Sequence, residues 1–100
     1  MSSTVVVGSP TDTGPTYTVT ITRHPDDTIT DWTAATGVVL VLPDGSTKTV
    51  TKTSATASQW IGTVTYNGWF TQSVPYNTRA RATFPSMTLT IPDELTFSVH

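Results

Sequence analysis

The longest unbroken apolar run in the chain is residues 38–42, near its middle. A short run of aliphatic and β-branched residues predicts a strand rather than a helix. Because its side chains point to both faces, we expect a central strand, or a strand whose second face is covered by a partner. The following Pro43-Asp44-Gly45 predicts a type I turn with a glycine bulge, after which residues 46–52 return as a polar, threonine-rich strand.

Alternation of apolar and polar residues predicts the core-facing rows of further strands. In residues 17–23 the inward row is Tyr17, Val19 and Ile21. In residues 95–99 it is Leu95, Phe97 and Val99.

Two further segments are less simple. In residues 60–66 we favour the large row Trp60, Gly62, Val64 and Tyr66, which alternates with threonine, over a row that contains Ile61. Gly62 would then leave room for a bulky neighbour or mark a bulge. Residues 78–84 leave two interpretations open. Either the row Ala80, Ala82 and Phe84 faces the core, or the arginine stems cover a sheet face.

The strand pattern is interrupted at two other places. Residues 29–36 have no clear period, and we interpret them as a crossover between sheets, with Trp32 plugging one end of the core. Pro92-Asp93-Glu94 is expected to divide the C-terminal region into two strands, residues 87–91 and 95–99.

Seven or eight short strands, separated by turns and without a helix, predict an all-β domain. The favoured architecture is a single antiparallel sandwich of two sheets, and an open barrel is the second choice. Residues 1–14 are predicted to be an N-terminal arm or first edge strand, and residues 15–100 the domain itself.

Composition supports this picture and excludes several functions. Threonine makes up about a quarter of the 100 residues, which favours strands with wettable outer faces. There is no cysteine, hence no disulfide and no thiolate chemistry. Five Lys and Arg residues, with a net charge of −2, are too few and scattered for a nucleic-acid surface. No segment has the pattern of a signal peptide or the length of a membrane span, so no membrane partner is expected.

The inventory of reactive groups predicts no enzyme. The only histidines are His24, before a turn proline, and His100, the last residue. The acidic groups Asp26-Asp27 with Asp31, and Asp93-Glu94, lie beside turn-forming residues and match no calcium loop. We therefore expect no catalytic residue, no metal site and no cofactor.

The aromatic pair Trp69-Phe70 is the strongest candidate for a contact surface. It follows Asn67-Gly68, where alternation fails, and adjacent residues of one strand cannot both point inward. Exposed aromatic rings mark binding surfaces, so Trp69 and Phe70 are predicted to bind a partner unless both fold under the loop. The short strand containing Val5, Val6 and Val7 is predicted to bind a neighbour through its edge.

Three segments resemble small immunoglobulin-like domains of tailed-bacteriophage virion proteins, including the N-terminal domain of baseplate upper proteins. They are Trp32-Thr33-Ala34-Ala35-Thr36-Gly37-Val38 after an acidic loop, the hairpin Leu42-Pro43-Asp44-Gly45-Ser46, and residues 76–84 with 96–99. The resemblance extends over most of residues 15–99. It implies an Ig-like β-sandwich and a non-enzymatic role in which one surface docks on a neighbouring virion protein.

The sequence thus predicts a phage structural protein, made in the host cytoplasm and located in the virion. A capsid decoration or accessory protein is favoured, and a tail or baseplate component comes next. Its partners would be other virion subunits, in a homo-oligomeric or symmetric arrangement. The first alternative is a carbohydrate-binding module or adhesin, with Trp69, Tyr66 and Tyr76 as the stacking platform. An enzyme and a secreted Ig-like adhesion domain are weaker alternatives.

Overall fold

Seven strands and one short 3-10 turn form the parts of the chain that the computed structural model describes, residues 3–22 and 31–100. The strands are β1 (Ser3–Val7), β2 (Thr13–Thr22), β3 (Gly37–Val41), β4 (Thr47–Ala55), β5 (Gln59–Asn67), β6 (Pro75–Phe84) and β7 (Met87–Val99), and the 3-10 turn is Trp32–Ala34. The all-β prediction is therefore confirmed.

The strands form one curled sheet in the order β1-β7-β6-β3-β4-β5-β2. All neighbours are antiparallel except β1 and β7, which run parallel. The first half of β4 pairs with β3 and its second half, from Thr51, pairs with β5, so the sheet bends at β4. The result is nearly barrel-shaped and is not clearly divided into the two sheets of a sandwich. This architecture is closer to the open barrel that the sequence offered as second choice.

The central hairpin has the predicted form. β3 lies between β4 and β6, where an apolar run facing both sides is expected. Gly45 has a φ of 88°, and its N–H donates to the Leu42 carbonyl at 2.9 Å. The Leu42 N–H donates to the Ser46 carbonyl at 2.8 Å, which closes the bulged turn.

Core rows follow the predicted alternation. Val19 and Ile21 of β2 are buried, and Tyr17 is half-buried in the same row. The favoured row of β5 is buried, with the members Trp60, Gly62, Val64 and Tyr66. Of the two interpretations of residues 78–84, the first is right, because Ala80, Ala82 and Phe84 face the core.

Gly62 explains how β5 accommodates its own tryptophan. A methyl group at this position would lie 2.6 Å from the Trp60 ring and 2.7 Å from the Thr51 carbonyl oxygen. The indole therefore folds over the glycine, and no larger residue fits there without movement.

One end of the barrel is closed by Trp32. Its side chain is fully buried and packs against Phe84, with ring centroids 5.5 Å apart. Its backbone N–H donates to the Ala57 carbonyl at 3.1 Å. This placement agrees with the predicted plug. Residues 23–30, which include the first two residues of the predicted crossover, lie outside the described residues.

The prediction of two C-terminal strands is wrong. Met87–Val99 is one continuous strand, and the register of its pairing with β6 shifts instead. A step of two residues from Arg79 to Arg81 on β6 matches a step of four from Glu94 to Thr90 on β7. The extra residues form a bulge, which removes the need for a ladder hydrogen bond from the proline.

Candidate docking surface

The β1 strand carries three of the five residues predicted to bind a partner. Val7 is fully buried in the core, Val5 is half-buried, and Val6 is 61% exposed. Alternation explains this difference, because successive side chains of a strand point to opposite faces. Among large hydrophobic side chains of the described residues, Val6 is the most exposed.

β1 and β2 are the two end strands of the sheet, and we call the gap between them the seam. Across the seam, the Tyr17 hydroxyl donates to the Val6 carbonyl at 3.0 Å. The next carbonyl, that of Val7, points the other way and accepts from the His100 N–H at 3.0 Å. Backbone groups of β1 thus alternate between β7 and the seam, and Val6 has its carbonyl in the seam.

The surroundings of Tyr17 keep its phenol in the donor form. Burial is the main cause that raises the pKa of Tyr17, and the nearby Asp12 carboxylate and Tyr66 add to it. The ring also packs edge-on against Phe97, with centroids 6.0 Å apart and an interplanar angle of 86°. The side chain that spans the seam is therefore held in place by the core.

Phe70 and Trp69 lie at the end of the barrel opposite Trp32. Phe70 is only 7% exposed and stacks on Tyr76, with centroids 4.0 Å apart and ring planes 8° from parallel. Trp69 is half-buried and packs against Phe97 at 5.5 Å, while the Lys48 ammonium lies 5.7 Å from its ring centroid. Phe70 thus belongs to the core, and little of Trp69 is offered to a partner.

A change of backbone direction lets two adjacent rings point the same way. Gly68 has a φ of 64°, and the chain leaves strand geometry immediately before Trp69. Side-chain alternation applies only within a strand, so it no longer separates the two rings. The sequence pattern identified the break in alternation correctly, but the outcome is closer to the alternative in which the rings fold under the loop.

Tyr66 holds this end of the barrel closed. It is fully buried, its hydroxyl donates to the Pro10 carbonyl at 2.7 Å, and it accepts from the Phe70 N–H at 3.3 Å. The phenol therefore ties the loop after β1 to the loop after β5. It is unavailable as a stacking surface for a sugar.

A shallow cleft of about 220 Å³ lies beside these rings. Its lining includes Trp69 and Tyr76 from the predicted glycan platform, together with Pro43 and Asp44 of the hairpin turn. The Asp44 carboxylate accepts hydrogen bonds from the Ser46 hydroxyl at 2.6 Å and the Ser46 N–H at 2.9 Å. These bonds lower the pKa of Asp44, so the cleft presents a carboxylate at neutral pH.

The described residues among those considered for catalysis form no cluster of three or more ionisable groups. His24, Asp26 and Asp27 lie outside the described residues, and His100 is exposed at the chain end. Asp31 caps the 3-10 turn, where it accepts from the Thr33 N–H at 3.0 Å and the Thr33 hydroxyl at 2.6 Å. In residues 3–22 and 31–100, no group of three or more His, Asp or Glu side chains is placed to hold a metal ion. The same residues contain no helix long and apolar enough to cross a membrane.

No protein-family model matches the chain, and no curated protein and no solved structure shows significant similarity to it. The resemblance to phage Ig-like domains therefore stays a prediction. So do the assignment to a virion and the absence of enzymatic activity.

Proposed function

We propose that this protein is a non-enzymatic structural module of a tailed-bacteriophage particle and that it docks on neighbouring virion subunits through β1. The observation that carries the proposal is the exposed Val6 on a strand paired on one side only. An end strand offers unpaired backbone groups to a further strand, and an apolar side chain beside them adds buried area.

The chemistry of the rest of the surface suits repeated packing. A net charge of −2 on 100 residues gives little repulsion between identical copies. The many threonine hydroxyls provide hydrogen-bonding groups without the desolvation cost of charges. These properties support a symmetric arrangement with copies of itself or with related capsid subunits.

The Ig-like sandwich belongs to the same proposal. The two halves of β4 pair with different neighbours, which would separate a layer of β1, β7, β6 and β3 from a layer of β5 and β2. A capsid decoration or accessory protein is our first assignment, and a tail or baseplate component is the second.

Mass spectrometry of purified particles tests the location. Heads and tails are separated and analysed individually, and we expect this chain in the head fraction at a fixed ratio to the major capsid protein. Its presence only in tails would support the second assignment. Its absence from every particle preparation would contradict the proposal.

A pair of variants tests the docking strand. Val6→Lys places a charge on the proposed contact and is expected to abolish incorporation into particles. Met87→Lys changes a side chain of 36% exposure at the start of β7, away from β1, and should leave incorporation unchanged. Equal incorporation of both variants would exclude β1 as the docking strand.

A carbohydrate-binding module is the second candidate. It is favoured by the cleft in which Trp69 and Tyr76 lie near the Asp44 carboxylate, since aromatic rings and hydrogen-bond acceptors together recognise sugars. A glycan array probed with the intact, folded protein tests it. Binding that is lost in Tyr76→Ala and weakened in Asp44→Asn would support it, and an array without binding would remove it.

A further inference from the structure

A second cleft opens to solvent where β4 leaves β3 and joins β5. Val50 is the last residue of β4 paired with β3, and Thr51 is the first paired with β5. The diverging strands leave a space of about 310 Å³, which we call the basic cleft because Lys52 and Arg81 both line it. Its size is at the lower end of the range for small-molecule sites.

The base of the basic cleft is apolar and fixed by the core. Its accessible part is formed by the half-buried Ala35 and Val39, and Val38, Val50 and Trp60, which are 2%, 4% and 2% exposed, belong to the core beneath. The Trp60 ring lies over Gly62, where a methyl group would come within 2.6 Å of it. A ligand therefore meets a preformed surface.

The rim is also pinned to the sheet. Thr36 donates twice to the Thr83 carbonyl, from its N–H at 2.7 Å and from its hydroxyl at 3.0 Å. Both residues line the cleft, as does Gly37, where a methyl group would meet no atom within 4 Å. The chain entering β3 is thus anchored, and it leaves open space beside the cations.

The charge of the basic cleft is opposite to that of the chain. The protein has a net charge of −2 and five Lys and Arg residues, of which two line this cleft, and its described lining includes no carboxylate. Arg81 also borders a neighbouring cleft that contains Glu94, but Glu94 is paired with Arg79 at 3.3 Å. Two cations beside threonine hydroxyls provide the donors that an anionic group requires.

We propose that the basic cleft binds a small organic anion. Lys52 and Arg81 hold its carboxylate or phosphate group, and the apolar base contacts the rest of the molecule. The site is separate from β1 and from the cleft beside Trp69, so it stands whether or not the proposed docking function is correct.

Amide chemical shifts in NMR spectra of the full chain test the proposal at low salt. Sodium glucuronate is the carboxylate probe, glucose is its neutral counterpart, and inorganic phosphate is the phosphoryl probe. We expect an anion to shift the amides of Gly37, Lys52 and Arg81, with a dissociation constant on the order of 1 mM. A response to glucuronate identifies a carboxylate ligand, and a response to phosphate alone identifies a phosphoryl ligand. Binding should weaken as the salt concentration rises.

Two matched variants separate a site from general attraction between charges. Arg81→Gln is expected to weaken anion binding about tenfold, because it removes a charged donor from the cleft. Lys48→Gln lowers the net charge equally from a position outside the lining of the cleft and should change binding less than twofold. The melting temperature of each variant checks that it folds.

Three results would overturn the proposal. The first is the absence of shifts with either anion at about 20 mM, well above the expected dissociation constant. The second is glucose shifting the same amides as strongly as glucuronate. The third is Lys48→Gln weakening binding as much as Arg81→Gln.

Discussion

The hydroxyl of Tyr17 donates to the carbonyl of Val6 at 3.0 Å and so links the two end strands, β2 and β1, across the seam. It occupies the position in which the N–H of a further strand would bond to β1. A side chain thus satisfies part of the edge that a neighbouring strand would otherwise pair with. A docking strand would compete with this phenol for the Val6 carbonyl, so the seam limits how readily β1 pairs.

Replacement of Tyr17 by phenylalanine tests this role. Removing the hydroxyl should lower the free energy of unfolding by about 1 kcal/mol or less, because the bond is exposed to water. It also frees the Val6 carbonyl, and we expect stronger self-association or stronger docking on a partner. Urea denaturation and light scattering after size-exclusion chromatography measure the two effects.

Tyr76→Phe is the control for that experiment. The Tyr76 hydroxyl has no hydrogen-bond partner among the described residues, and its ring stacks on Phe70 in the core. This variant should change neither stability nor association. If both variants associate equally, the Tyr17 bond does not restrain the edge.

A methyl group added at Gly62 should destabilise the fold. In Gly62→Ala the new carbon would lie 2.6 Å from the Trp60 ring and 2.7 Å from the Thr51 carbonyl oxygen, one of which is backbone and cannot rotate away. We expect the free energy of unfolding to fall by about 1–3 kcal/mol, as in other overpacked cores. Chemical denaturation monitored by tryptophan fluorescence gives the value.

Gly37→Ala is the matched substitution. A methyl group there meets no atom within 4 Å and the residue is exposed, so stability should change by about 0.5 kcal/mol or less. Similar losses in both variants would mean that crowding by the Trp60 ring is not the cause.

Residues whose burial depends only on strand alternation could be predicted from the sequence. The rows of β2 and β5 and the bulged turn at Gly45 follow from periods and turn chemistry that operate over a few residues. The sequence also predicts the crowding at Gly62, because a small residue within a row of large ones indicates a close neighbour.

The features that the sequence does not predict depend on how strands far apart in the chain pair and pack. The continuity of β7 rests on a bulge opposite β6, which no local pattern reveals. The bond from Tyr17 to Val6 and the placement of Lys52 and Arg81 around one cleft both arise from the curling of the whole sheet. The only local signal for Tyr17 was its place at the start of an alternating row, which predicted burial and not the role of its hydroxyl.

Phe70→Ala distinguishes a core residue from a contact residue. The ring is 7% exposed and stacks on Tyr76, so its removal should cost about 3–5 kcal/mol of stability. Denaturant unfolding measures the loss, and Thr71→Ala, at the exposed next position, should be nearly neutral. Unchanged stability in Phe70→Ala, together with lost docking, would support the sequence-based prediction of a contact surface.

The carboxylate of Asp44 should titrate below its ordinary range. The hydroxyl of Ser46 is the main cause that lowers the pKa of Asp44, and the Ser46 N–H adds to it. Because the folded-state pKa is lowered, the associated stability is present above the unfolded-state value of about 3.9 and is lost as the pH falls through the folded-state value.

Carbon-detected NMR titration of the side-chain carboxyls measures the midpoint directly. In Ser46→Ala the midpoint of Asp44 should rise, while that of Asp31, which is lowered by its own bonds to Thr33, should stay where it is. A midpoint of Asp44 that is unchanged in Ser46→Ala would show that the hydroxyl is not responsible.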